Sequence, residues 1–230
     1  MKKIDCWTLA GKVLPHTTRV LLYGPPGTGK SHFALTQGLA RKQNVFSLTL
    51  TEETPAAEIR GHYIPKGQEF QFHKGPGIQA WEQGARLVIN EIDHASGDLM
   101  SILLAVLDDP ELAVLTLPSG ETVKPKGPVK YIATMNGEPK DLPEPLRDRF
   151  DVKINCDHVH PGALERLPDD LKKAAAGTVS ITDDRQASVR VWLSYANLRE
   201  YLDEDTALIA CFGEHAEQVK SALKLSKKRA

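Results

Sequence analysis

With 230 residues, 41% apolar and 26% charged, the chain has room for one large domain or a larger and a smaller one, in an ordinary globular balance. Its 29 basic residues face 30 acidic ones, and a net charge of −1 excludes a broad electrostatic footprint for nucleic acid. No apolar run has signal-peptide or membrane-spanning length, and Cys6, Cys156 and Cys211 lack metal-ligand spacing, so a cytoplasmic chain with reduced, mostly buried thiols and no membrane partner is expected.

In chain order, the first apolar β-type run is 19–23. It leads into Gly24-Pro25-Pro26-Gly27-Thr28-Gly29-Lys30-Ser31, after which a helix is predicted over 31–41. A strand follows at 45–50, then a hairpin over 59–73, where Glu69-Phe70-Gln71-Phe72 alternates. Next come a strand at 86–90 and a helix at 97–107, with Leu99, Leu103 and Val106 on one face. A second hairpin over 113–124 turns at Pro118-Ser119-Gly120, and strands follow at 129–135 and 151–154. Short, nearly continuous apolar strands separated by helices predict a parallel sheet with helices on both faces. Past Asn155 the character becomes helical, with segments near 169–176, 186–201, 206–211 and 214–225. The expected division is an α/β domain over 1–157 and a helical domain over 158–230.

The pattern G-x-x-x-x-G-K-[ST] is met by Gly24, Gly29, Lys30 and Ser31, and a chain of average composition and this length matches it by chance roughly once in a hundred. Its chemistry follows from residue type. Glycines let backbone N–H groups wrap around phosphate oxygens, and the following helix adds its positive end. Lys30 neutralises the β and γ phosphates, while the Ser31 hydroxyl is a ligand for Mg²⁺. Gly24, Pro25, Pro26, Gly27, Thr28, Gly29, Lys30 and Ser31 are therefore the expected nucleotide-binding residues.

Hydrolysis needs a carboxylate at a neighbouring strand tip, and Leu87-Val88-Ile89-Asn90-Glu91 supplies one. Glu91 suits the base that orients and deprotonates the attacking water. Asn90 stands where an aspartate normally helps hold Mg²⁺; it still accepts a hydrogen bond from a metal-bound water but brings no charge. Asp93 either compensates or caps the helix that follows. The eight histidines form no metal-ligand set beyond His158-x-His160, which is expected in an exposed linker.

These motifs resemble an AAA+ ATPase when taken with Asn90-Glu91-Ile92-Asp93 and with Ile132-Ala133-Thr134-Met135-Asn136 followed by Leu142-Pro143-Glu144-Pro145-Leu146-Arg147-Asp148-Arg149-Phe150-Asp151. The chain is similar in particular to the MoxR-like branch that includes the CbbQ and GvpN proteins. Phe72-His73-Lys74-Gly75-Pro76-Gly77-Ile78-Gln79-Ala80 is similar to that branch's Gly-Pro segment, and the two hairpins fall where it carries insertions. The resemblance covers about residues 18–155 well and the remainder loosely.

The resemblance implies a P-loop NTPase sheet followed by a small all-helical AAA+ lid. It makes Asn136 the sensor 1 residue and Arg149 the arginine finger, with Arg147 its close competitor. Arg190 becomes the sensor 2 arginine, although Arg199 lies on the same predicted helix. Trp7 and Leu9 either line the base pocket or pack in the core. ATP and Mg²⁺ are the implied cofactors; phosphate contacts dominate the motif, so the residues alone do not separate ATP from GTP. The implied assembly is a homo-oligomeric, hexameric ring acting as a chaperone on a separate protein client or adaptor, in some members one with a von Willebrand A domain. Two other readings stay open: a nucleic-acid motor or restriction-type NTPase, against which the neutral charge counts, and a nucleotide-switched binding module with weak turnover.

Overall fold

The first helix starts at an acid. In the computed structural model, which describes residues 4–39, 43–95, 97–178 and 188–228, the Asp5 carboxylate accepts the Thr8 N–H at 2.8 Å and caps α1 (Cys6–Val13). Eight residues carry too little periodicity to announce this helix in the sequence. Trp7 packs its ring 5.4 Å from that of Phe33 in α2 (Lys30–Thr36), and both are buried, whereas Leu9 is exposed. Trp7 is thus a core residue.

Between these helices runs β1 (Arg19–Tyr23). Beyond α2 the order is β2 (Val45–Thr49), α3 (Ala56–Arg60), β3 (Gly61–Lys66), β4 (Glu69–Lys74), α4 (Pro76–Gln83), β5 (Arg86–Asn90) and α5 (Gly97–Val106). Then come β6 (Leu115–Thr116), β7 (Thr122–Val123), β8 (Lys130–Thr134), α6 (Glu144–Asp148) and β9 (Val152–Asn155). Five strands form one parallel sheet in the order β2-β5-β8-β1-β9, with helices on both sides. The two hairpins, β3–β4 and β6–β7, stand apart as separate antiparallel pairs.

The period of two along the strands explains the layers. Leu21, Leu87, Ile89, Tyr131 and Ala133 join one buried cluster with Ile59, Ile78, Trp81, Leu99 and Leu103 from α3, α4 and α5. Alternate residues Val20, Leu22, Val88 and Ile132 are just as buried, on the opposite face. Three polar contacts tie these elements together. Buried Arg86, at the start of β5, donates from Nη1 to the carbonyls of Ala34 (3.0 Å) and Gln37 (2.8 Å), tying the end of α2 to that strand. Trp81 Nε1 donates to the Tyr131 hydroxyl at 2.8 Å, and burial pushes that phenol up to about 12. Lys74 Nζ meets Glu82 at 2.8 Å and Glu121 at 2.8 Å, linking β4, α4 and the turn of the second hairpin. Those hydrogen bonds, to Glu121 and then to Glu82, raise the Lys74 pKa.

The described residues divide into two units, one within 1–23 and 31–155, the other within 24–30 and 156–230. The second is helical: α7 (Pro161–Leu164), α8 (Asp169–Thr178), α9 (Val189–Leu198), α10 (Glu204–Phe212) and α11 (Ala216–Lys228). Its core gathers around Trp192, whose ring lies 5.0 Å from Phe212 and 6.1 Å from Tyr195. The helix expected over 31–41 ends at Thr36, and residues 40–42 lie outside the described residues. The helix expected over 186–201 spans 189–198, with Ser188 accepting from the Val191 N–H at 3.4 Å as its cap; 186 and 187 lie outside the described residues. Among the described residues no helix is long and apolar enough to cross a membrane.

Candidate functional site

The loop Gly24–Lys30 follows β1 directly, and its glycines take conformations that side chains resist. Gly27 has φ 76° and Gly29 φ 101°. Close approach reinforces the choice within the same unit. A Cβ on Gly27 would lie 2.4 Å from Ser188 Cβ, and one on Gly29 would lie 2.8 Å from His160 Cβ. The His160 N–H donates to the Thr28 carbonyl at 2.7 Å. Lys30 is 6% exposed and its Nζ donates to the carbonyls of Gly24 and Pro25, both at 2.7 Å. Thr28 is fully buried, and its Oγ1 donates to the Pro25 carbonyl at 3.2 Å. The lysine head is thus aimed back at the loop it closes.

Gly24, Pro25, Pro26, Gly27, Thr28 and Gly29 therefore form one continuous loop, Lys30 opens α2, and Ser31 is its second residue, half-buried. His160 corrects the linker expectation. It and His158 are half-buried rather than exposed, and His160 Nδ1 accepts the Gly162 N–H at 3.2 Å, capping α7.

In the sheet, two strand tips carry the polar candidates. Asn90 ends β5, is 8% exposed, and accepts a hydrogen bond on Oδ1 from the hydroxyl of Thr134, the last residue of neighbouring β8, at 3.2 Å. Among the described residues Glu91 alone of the non-glycines has a positive φ, with φ 55° and ψ 48°. That left-handed conformation costs about 1–3 kcal/mol and concentrates at functional positions. It turns the chain sharply off the strand, and the Glu91 carboxylate accepts from Asn136 Nδ2 at 2.5 Å. The acid of one strand end and the amide of the next are joined.

The same turn gathers a set the sequence reading did not single out. The ligand atoms of Glu91, Asp93 and His94 lie within 4.8 Å of one another, with Asp93 and His94 exposed. Asp93 lies in a short 3-10 turn (Ile92–His94) ahead of α5.

The arginines separate by their contacts. Arg147 lies half-buried on α6. Arg149, the residue that ends α6, approaches Asp108 at 3.5 Å, and its Nε is buried without a hydrogen-bond partner. In the helical unit Arg199 grips Asp170 of α8 with a fork of 2.5 and 3.0 Å, whereas Arg190, in the first turn of α9, is exposed. Arg199 is committed to holding two helices together.

The chain matches the family model described as AAA domain (dynein-related subfamily) over residues 19–150. An uncharacterized protein of Staphylococcus haemolyticus is 34% identical over 155 residues, covering 64% of this chain and 58% of that protein. Protein NorQ of Paracoccus denitrificans is 26% identical over 146 residues, 62% of this chain and 53% of the relative. In both, the match spans little more than half of the relative's length. Lon protease of Campylobacter jejuni is 28% identical over 180 residues, 71% of this chain and 22% of that protein. Among solved structures, NtrX from Brucella abortus superposes with a TM-score of 0.55 at 17% identity, covering 97% of this chain and 49% of that one. The likeness extends to the fold.

Proposed function

The chain belongs to the AAA domain family in its dynein-related subfamily, of MoxR-like AAA+ type, and from that premise we propose that it binds and hydrolyses ATP and uses the energy to remodel or activate a separate partner protein. The observation that carries the hydrolytic part is the joining of Glu91 to Asn136. A carboxylate in a strained turn at a strand tip, hydrogen-bonded by an amide from the adjacent strand end, is arranged to hold and deprotonate a water.

The residues fit the expected ligands. Glycines with positive φ, two of them closely approached by backbone or side chain, keep the loop in the wrapped form that presents N–H groups to an anion. The Ser31 hydroxyl is a hard oxygen donor of the kind Mg²⁺ takes, and because Mg²⁺ keeps several of its own waters, the Asn90 carboxamide would accept a hydrogen bond from one of them. When bound, Mg²⁺ supplies charge neutralisation at the phosphates. Lys30 exchanges its two carbonyl partners for phosphate oxygens, Glu91 takes the water's proton, and Asn136 orients both acid and water. Arg190, exposed at the start of its helix, is the lid arginine for the nucleotide. Arg149 serves the neighbouring subunit of a hexameric ring.

Asn136→Ala tests this assignment. It is expected to slow turnover by about 10²-fold while nucleotide affinity stays within a few-fold of wild type. Hydrolysis at the wild-type rate would remove Asn136 from the mechanism.

Asn90→Asp probes the metal side. A carboxylate restores the missing charge, so the Mg²⁺ concentration for half-maximal turnover should fall. A titration in which that midpoint does not move would mean that another acid, such as Asp93, already supplies the charge.

A further inference from the structure

Strand β2 lies at the edge of the sheet, and among the described residues its strand neighbour is β5 alone. The ladder fixes which backbone groups are spent. Arg86 N–H donates to the Asn44 carbonyl at 3.2 Å and Leu50 N–H to the Asn90 carbonyl at 2.9 Å, so the even-numbered residues face β5. By the two-residue alternation of a parallel ladder, Val45, Ser47 and Thr49 turn their N–H and C=O groups outward. Ser47 and Thr49 are exposed. Unpaired edge groups of this kind are a template for another strand.

A groove of about 640 Å³ runs beside this edge, lined by Ser47 and Thr49, by Thr51, Glu53 and Thr54 of the following turn, and by Glu58 of α3. Among the described residues, its wall carries two carboxylates and several hydroxyls, and no lysine or arginine lines it. Both glutamates are exposed. Such a wall repels phosphate backbones and acidic segments, and it attracts cationic side chains.

We propose that the β2 edge and its acidic groove receive an extended, lysine- or arginine-bearing segment of the partner protein, which adds as a strand to β2 and sets its cations against Glu53 and Glu58. Main-chain hydrogen bonds to the outward groups of Ser47 supply sequence-independent affinity, and the two carboxylates supply the selection for charge. This deepens the remodelling reading by naming the chemical class of the captured segment, and it rests on that reading only for whose segment it is.

The test uses the full chain and a fluorescein-labelled heptapeptide alternating lysine and valine, titrated by fluorescence anisotropy with and without ATP. Two companion peptides carry glutamate in place of lysine, or N-methylated valines that cannot pair as a strand. Binding of the lysine peptide is expected. It should weaken by about tenfold in Glu53→Lys/Glu58→Lys, where two exposed ion pairs become repulsive. It should weaken comparably for the N-methylated peptide. Ser47→Pro removes an outward N–H without breaking the β5 ladder and should have the same effect.

No binding of the lysine peptide, equal binding of the glutamate peptide, or indifference to both charge reversal and N-methylation would overturn the proposal. A change of oligomeric state in Ser47→Pro with peptide affinity intact would overturn it too, by assigning the edge to a second copy of the chain. Nucleotide affinity, measured on the same variants, is expected to be unchanged. Because the titration is also run without ATP, failure of the ATPase reading leaves the peptide result readable.

Discussion

Arg149→Ala is expected to bind nucleotide nearly as well as wild type and to hydrolyse it about 10³-fold more slowly, or worse, since an arginine supplied to a γ-phosphate in trans is worth ~10³ to 10⁵ in rate. The contact of Arg149 with Asp108 is long, at 3.5 Å. Compare Arg199, whose fork to Asp170 is short and complete. Glu91→Gln should be similarly inactive, for lack of a base in its own subunit. Mixing the two inactive proteins should then recover turnover, because a mixed ring contains interfaces with an intact Glu91 facing an intact Arg149. The measurement is phosphate release from mixtures in which co-purification of a tagged subunit proves exchange. Background turnover from proven mixed rings would mean that Arg149 does not act in trans, and the same experiment with Arg147→Ala would follow.

The second large effect belongs to Lys30. Its ammonium is almost wholly enclosed by the loop and satisfied by two carbonyls at 2.7 Å, so it is positioned before any ligand arrives. Lys30→Ala should weaken ATP binding by about two orders of magnitude or more, the scale of a lost charge-assisted contact to an anion in a confined site. Secondary structure by circular dichroism should be unchanged, because the cores around Trp81 and Trp192 do not include this side chain. Unaltered affinity in a well-folded Lys30→Ala protein would refute the phosphate-binding assignment of the loop.

The α/β architecture could be read from the chain because its signals are local. Arg86–Asn90 is buried at every position, and its middle, Leu87-Val88-Ile89, reads as a continuous apolar run with polar residues at either end. The phosphate-loop pattern is contiguous, and it sits between such a strand and a helix. Longer-range facts left no local trace. Asp5 as a cap was missed because the helix it starts has only eight residues. The left-handed residue of the turn is Glu91 itself, neither glycine nor asparagine, so nothing at that position announces it. His160 and Ser188 press on Gly29 and Gly27 from far along the chain, so those glycines are required by packing as well as by the loop's own chemistry. The pairing of Arg199 with Asp170, 29 residues away, is likewise a contact that no periodicity reveals.

If Glu91 is the base, this chain is an ATPase rather than a nucleotide-switched binding module. The most direct measurement is phosphate release from Mg²⁺-ATP by the wild-type protein and by Glu91→Gln, with nucleotide affinity measured on both. Equal affinities with turnover confined to wild type, and lost by about 10²-fold or more on substitution, is the predicted result. Equal affinities with equal, background-level release would contradict it, and would leave a protein that binds nucleotide without using Glu91 to hydrolyse it.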